Sequence, residues 1–191
     1  YISHPEVRPP GGHLPKGRSK MDAQAYQRRM YEFLGDRDPI DVLSQTAGVL
    51  ARIVAEHPAP ILKTRAYDDK WSPNEILGHL VDTELVMGSR IRFVYCEEQP
   101  DIVGYDQDLW VARQRHNDRE PAEWVENFRN LREFNLVLWK RMTSADLDRA
   151  GRHRERGLES LDTMLRMEAG HDLCHIDQIE RYLLVIQRKT K

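Results

Sequence analysis

The residues best suited to chemistry lie in Glu168-Ala169-Gly170-His171-Asp172-Leu173-Cys174-His175, where two histidines stand four positions apart. On a helix that spacing puts both imidazoles on one face, within reach of a single ion. Leu161, Met164, Leu165, Glu168, His171, His175, Ile179, Tyr182 and Ile186 recur at three- and four-residue steps, so the pair interrupts a core stripe. His79 sits beside Ile76, Leu80 and Thr83 on the inward stripe of a second helix. Three histidine nitrogens match the ligand count of a catalytic-type metal site, which leaves a position for water or substrate. Imidazole suits zinc, nickel, copper or iron, so ligand type does not choose among them; zinc or nickel is the expectation. A single buried histidine is more often a hydrogen-bonded core residue, but three converging on one interior favour a metal.

Several neighbours could join the chemistry. Glu168 lies one turn before His171 and is the expected catalytic carboxylate: it could orient an imidazole, accept a proton from water, or ligate the ion. Asp82, three residues after His79, has the same options but is expected at the edge of the stripe, reaching solvent. Arg90 and Arg92 could bind an anionic group, with surface pairing to Glu97 or Glu98 the plainer expectation. Tyr182 reads as core, Trp71, Trp124 and Trp139 as bundle anchors, and Cys174, which points about 100° from each adjacent residue, is left out of the ligand set. Read as a variant of the H-E-x-x-H protease helix, Asp172 is one methylene short of the usual base, and the third histidine lies far upstream. That reading carries little weight.

The elements that must position these groups are helices. Ser72-Pro73-Asn74-Glu75 is a full capping box with an N1 proline, and Trp71 and Ile76 stand where a hydrophobic staple would. This fixes the register that turns His79 inward. Asp38-Pro39 opens an earlier helix with the stripe Ile40, Leu43, Ala47, Leu50 and Val54, closed near His57-Pro58. Pro121 opens another, with Trp124, Val125, Phe128, Leu131, Leu138 and Met142, and Ser160 caps the last, which runs to about Gln187. A short helix is expected over Ala23–Leu34 with Gly35 as its stop, a turn or two within Asp106–Arg115, a capped turn at Ser144–Leu147 ended by Gly151, and a charged loop over 152–157. No period-two alternation supports a strand. An all-α four-helix bundle follows, with up-down-down-up order allowed by the long connection from Pro100 to Glu120.

Residues 1–20 are rich in proline, glycine and basic residues and read as an added leader or native extension, so His4 and His13 are set aside; residues 21–191 read as one domain. With 29 basic and 31 acidic side chains the net charge is −2, which makes no electrostatic case for nucleic acid or an anionic membrane. Cys96 and Cys174 lie far apart within helices, so a reducing cytoplasm is expected, and no apolar run approaches the ~18 residues of a membrane span.

The segments Trp71 to Leu80 and Glu168 to Ile179 resemble the two signature helices of the DinB/YfiT-like superfamily, "W-S-x-x-E-x-x-x-H" and "H-x-x-x-H-x-x-Q". The likeness runs over most of residues 38–188. It implies an up-down-down-up bundle and, residue by residue, His79, His171 and His175 as metal ligands. Members are described as metal-dependent hydrolases, and some branches as metal-dependent transferases that use a low-molecular-weight thiol. Asp172 stands where a glutamate is frequent, and nothing in the chain matches a defined substrate signature. The expected function is a metal-dependent enzyme that activates water or such a thiol toward a small-molecule substrate. The alternative is a non-catalytic bundle with a structural or adventitious metal, a binding or dimerisation module whose apolar stripes and tryptophans allow a homodimer.

Overall fold

A computed structural model describes residues 23–154 and 156–189. The expected leader, with His4 and His13, lies outside the described residues. Four helices carry the bundle: α2 (Pro39–Glu56), α4 (Pro73–Cys96), α6 (Pro121–Trp139) and α8 (Leu161–Lys189). Each begins at a recognisable signal. Asp38 accepts from Asp41 N at 2.9 Å, α4 and α6 carry proline in their first turn, and Ser160 Oγ accepts from Thr163 N at 3.1 Å.

Two apolar clusters mark the ends of the bundle and fix the helix directions. The first joins Leu50 and Ile53 of α2, Ile76 to Val81 of α4, Trp124 to Phe128 of α6, and Ile179 to Ile186 of α8. The second joins Val42 and Leu43, Met87 to Val94, Leu136 and Trp139, and Leu161 to Ala169. So α2 and α8 run one way and α4 and α6 the other: up, down, down, up. The inward stripe of α2 differs from expectation, because Val42, Thr46 and Ile53 are buried whereas Ile40, Ala47 and Val54 are half-buried at its margins.

The shorter elements include a correction. The connections form a small sheet, β1 (Asp101–Ile102), β2 (Ala150–His153) and β3 (Gly157–Ser160), with β1–β2 parallel and β2–β3 antiparallel. Strands of two and four residues are too short for alternation to register, so the expected charged loop is largely hairpin. Gly151 lies in β2 and does not end a helix; a Cβ there would meet Ile102 at 2.8 Å and Val94 at 2.9 Å. The short helix α7 (Ser144–Leu147) takes Thr143 as its cap, while α3 is one turn at Ala59–Leu62. In the long connection, α5 (Gln107–Arg113) precedes a 3₁₀ turn at His116–Asp118.

The first helix, α1 (Ala23–Leu34), ends at Gly35 with φ of 58° and packs on α8. The approach is backbone to backbone, since a Cβ on Gly170 would lie 2.0 Å from the Met30 carbonyl oxygen. Only glycine fits there without displacing α1. Gly170→Ala should destabilise the protein by ~1–3 kcal/mol, as overpacking does, read as a lower urea midpoint; an unchanged midpoint would show that α1 is loosely held.

Candidate metal centre

The start of α4 sets the site. Ser72 Oγ accepts from Glu75 N at 3.1 Å, and Glu75 Oε2 accepts from Ser72 N at 2.7 Å. Arg65 Nη2 holds the other Glu75 oxygen at 2.6 Å. With the first turn locked, His79 points between the helices at 1 % exposure, and Trp71 lies against its ring, centroids 4.9 Å apart. From α8, His171 and His175 face it one turn apart.

The three Nε2 atoms converge. His79 Nε2 and His175 Nε2 each lie 3.1 Å from His171 Nε2, and one ligand atom from each residue falls within 4.8 Å of the others. A neutral imidazole nitrogen carries either one proton or one lone pair, so His171 Nε2 cannot satisfy two such neighbours fully. A cation shared by three lone pairs resolves that conflict, and 3.1 Å is a suitable separation for nitrogens bound at ~2.0–2.1 Å. The tautomers agree. Gln178 Nε2 donates to the Tyr182 hydroxyl at 3.0 Å, which leaves Gln178 Oε1 to accept from His175 Nδ1 at 3.0 Å and frees the Nε2 lone pair. Burial, then the neighbouring His175, holds His79 and His171 well below the usual histidine pKa, and burial brings His175 down to about 4. All three are therefore neutral at pH 7, the form that ligates.

Glu168 sits elsewhere in the same interior. Its Oε2 accepts from Trp139 Nε1 at 3.2 Å and its Oε1 lies 3.8 Å from Arg132; among the described residues, its hydrogen-bond and ion-pair partners include no histidine. Arg132, 2 % exposed, donates to Glu84 at 2.6 Å, Asp172 at 2.7 Å and the Leu43 carbonyl at 3.0 Å. Burial, and then Glu84, pushes Glu168 well above the carboxylate range, so its protonated form is favoured. Asp172 is thus a buried ion-pair partner of Arg132.

Other expectations change. Asp82 is buried, not solvated: it accepts both its bonds from Gln114 Nε2, at 3.0 and 3.2 Å, and lies 3.2 Å from His116 Nε2. Arg90 and Arg92 form no pair with Glu97 or Glu98 among the described residues. Arg92 donates to the Gly88 carbonyl and Asn135, stacking over Phe134, and Arg90 donates to the Val103 carbonyl. Cys174 packs with Met30 and Met167, away from the cluster.

The model of the DinB superfamily matches residues 42–179. The chain belongs to the DinB superfamily. An Oceanobacillus iheyensis protein named "putative metal-dependent hydrolase" is 24 % identical over 114 residues, a match covering 59 % of this chain and 65 % of that relative's length. YfiT from Bacillus subtilis, described as "a probable metal-dependent hydrolase with an unusual four-helix bundle topology", superposes with a TM-score of 0.68 at 20 % identity, over 87 % of this chain and 91 % of YfiT. The mycothiol-dependent maleylpyruvate isomerase superposes with a TM-score of 0.61 at 9 % identity, over 78 % and 62 %. These two likenesses show the fold. No helix among the described residues is long and apolar enough to cross a membrane.

In this DinB-superfamily chain the partners hardest to foresee are His116, Trp139 and Arg132. Arg132 and Asn135 continue the inward spacing Phe128, Arg132, Asn135, Trp139, so the signal was present but carried by polar residues. Removing the cation should be costly: Arg132→Met should lower stability by ~3–5 kcal/mol, because the buried carboxylates lose their partner. Denaturant unfolding checks this, and a loss under ~1 kcal/mol would mean that the carboxyls had simply taken up protons.

Proposed function

We propose that the chain is a metal-dependent enzyme in which His79, His171 and His175 hold one divalent transition metal, zinc or nickel, and a small-molecule substrate reacts at the remaining position. The observation behind this reading is the convergence of three Nε2 atoms, those of the buried His79 and the half-buried His175 each 3.1 Å from that of the buried His171 and all within 4.8 Å of one another. When bound, such an ion lowers the pKa of a water or thiol toward neutrality. The chain's own residues hold the donors still: Gln178 keeps the proton of His175 on Nδ1, and Trp71 limits rotation of His79. Hydrolysis agrees with the names of two relatives, and use of a low-molecular-weight thiol with the third.

Glu168 takes the role of carboxyl support for His171. Among the described residues His171 Nδ1 is buried without a hydrogen-bond partner, and Glu168 stands three residues before it on α8. A carboxyl turned from Trp139 and Arg132 toward His171, or a bridging water, would accept from Nδ1–H. Glu168→Gln should weaken metal affinity ~10–100-fold, as loss of such support does, while the pH dependence of metal binding shifts with it. Unchanged affinity and pH dependence would leave Glu168 a purely structural group.

The reading is tested on untagged protein. It should bind one equivalent of zinc or nickel, gain about 2.7 kcal/mol of stability at a hundredfold excess over Kd, and lose both in His171→Ala. Metal-loaded protein should then either hydrolyse a panel of esters and amides or couple a cellular thiol to a model electrophile faster than His79→Ala. Stoichiometric metal with no rate in either assay would make the ion structural, and absence of metal binding would remove the enzyme reading altogether.

A further inference from the structure

Trp124 and Trp139, which a contact between copies could have used, are buried in the bundle. Apolar surface lies instead on the outer side of α4 and α6, two neighbours that run the same way. There the helices leave a groove of roughly 300 Å³. Its lining includes Arg92 and Cys96 of α4, Phe134, Val137 and Leu138 of α6, and Arg141 just beyond the end of α6. Phe134 is 64 % and Val137 53 % exposed, so two large apolar side chains stand in water one turn apart. Scattered apolar side chains on a surface are ordinary, but a group of them around a groove marks an interaction site.

The charges on this strip say what covers it. Arg92 is already engaged: it donates to the Gly88 carbonyl at 2.6 Å and to Asn135 Oδ1 at 2.9 Å, with its guanidinium 4.4 Å over the Phe134 ring. Two exposed charges remain. Among the described residues, Glu133 and Arg141 have no ion-pair partner. They stand four residues before and four residues after Val137, each ~6 Å from it along the axis and about 40° round the helix, in opposite senses. Arg141 keeps to the helical path, since its N donates to the Leu138 carbonyl at 3.1 Å. An acid and a base at equal and opposite distances from an apolar centre make a surface complementary to itself when turned end for end.

We propose that two copies of the chain pair through this strip, with a two-fold axis beside Val137 and α6 lying antiparallel on its counterpart. Glu133 then meets Arg141 of the partner subunit, and Arg141 meets the partner's Glu133, one link on each side of the axis. Phe134, three residues before the centre, comes level with the end of the partner's α6 and enters the groove there. Ridges of residues four apart meeting their like is the commonest way for two helices to cross. A partner of other chemistry would need no such symmetry of charge. The strip faces outward whereas the histidines face the interior, so the pairing rests on no part of the metal reading.

Sedimentation equilibrium on the full chain, free of metal, reads the result. The wild type should be dimeric at ~100 μM. Glu133→Arg and Arg141→Glu each set like charges opposite one another, and each should dimerise ~10–100-fold more weakly. An equal mixture of the two variants should recover the dimer, because every facing pair is then again one acid and one base. Recovery also shows that both variants fold. Cys96 is exposed in the groove while Cys174 is buried, which gives a reading without any substitution: alkylation of Cys96 should slow as the wild-type concentration rises through the Kd of the dimer. A wild type that stays monomeric at ~100 μM, a dimer that neither charge reversal weakens, a mixture no tighter than its components, or Cys96 reacting equally fast at every concentration overturns the surface.

Discussion

One buried cation organises the interior. Arg132 rises from α6 into the middle of the bundle and meets Glu84 of α4, Asp172 and Glu168 of α8, and the Leu43 carbonyl of α2. A guanidinium taken out of water must be matched by carboxylates and acceptors, and the carboxylates must in turn be matched by it. Each of the four main helices supplies a member, so their relative heights and rotations are set together. Around the same point Asn135 donates to Glu84, and Trp139 donates to Glu168. Apolar clusters on either side would tolerate sliding; this network does not.

The histidine cluster depends on that constraint. Asp172, bonded to Arg132, follows His171 directly, and Glu84 stands five residues after His79. Fixing these two carboxylates fixes how far α4 and α8 are turned toward each other, and so brings His79 Nε2 to 3.1 Å from His171 Nε2. The capping box at Ser72 holds the other end of α4, and Gln178 with Tyr182 holds His175. Three imidazoles are thereby kept neutral and close in an interior that burial makes hostile to protons. Such preorganisation is what a metal centre requires.

Most of the frame was legible in the sequence because its signals are local. Ser72-Pro73-Asn74-Glu75 announces α4 and its register, and the i, i+4 histidines announce the inward face of α8. What stayed hidden depends on partners distant in sequence. Asp82 and Arg90 read as surface residues until the connection over 97–120 covers them with Gln114, His116 and Val103. Asp172, given little weight as a protease base, has no evident part in the sequence until Arg132, forty residues earlier, is seen to bond it. The three short strands, pinned by Gly151 against Ile102, leave no periodic trace at all. A hydrophobic pattern can say which side of a helix faces inward, but not which buried charge another helix will bring.

The most direct measurement of the central claim is zinc-edge X-ray absorption on protein carrying one equivalent of zinc. Three imidazole nitrogens at ~2.0–2.1 Å, with the outer-shell scattering of imidazole rings and one further light atom, are expected; that ring signal should fall to two in His79→Ala. An oxygen-dominated shell, or a spectrum that His79→Ala leaves unchanged, would contradict a metal centre assembled by these three histidines.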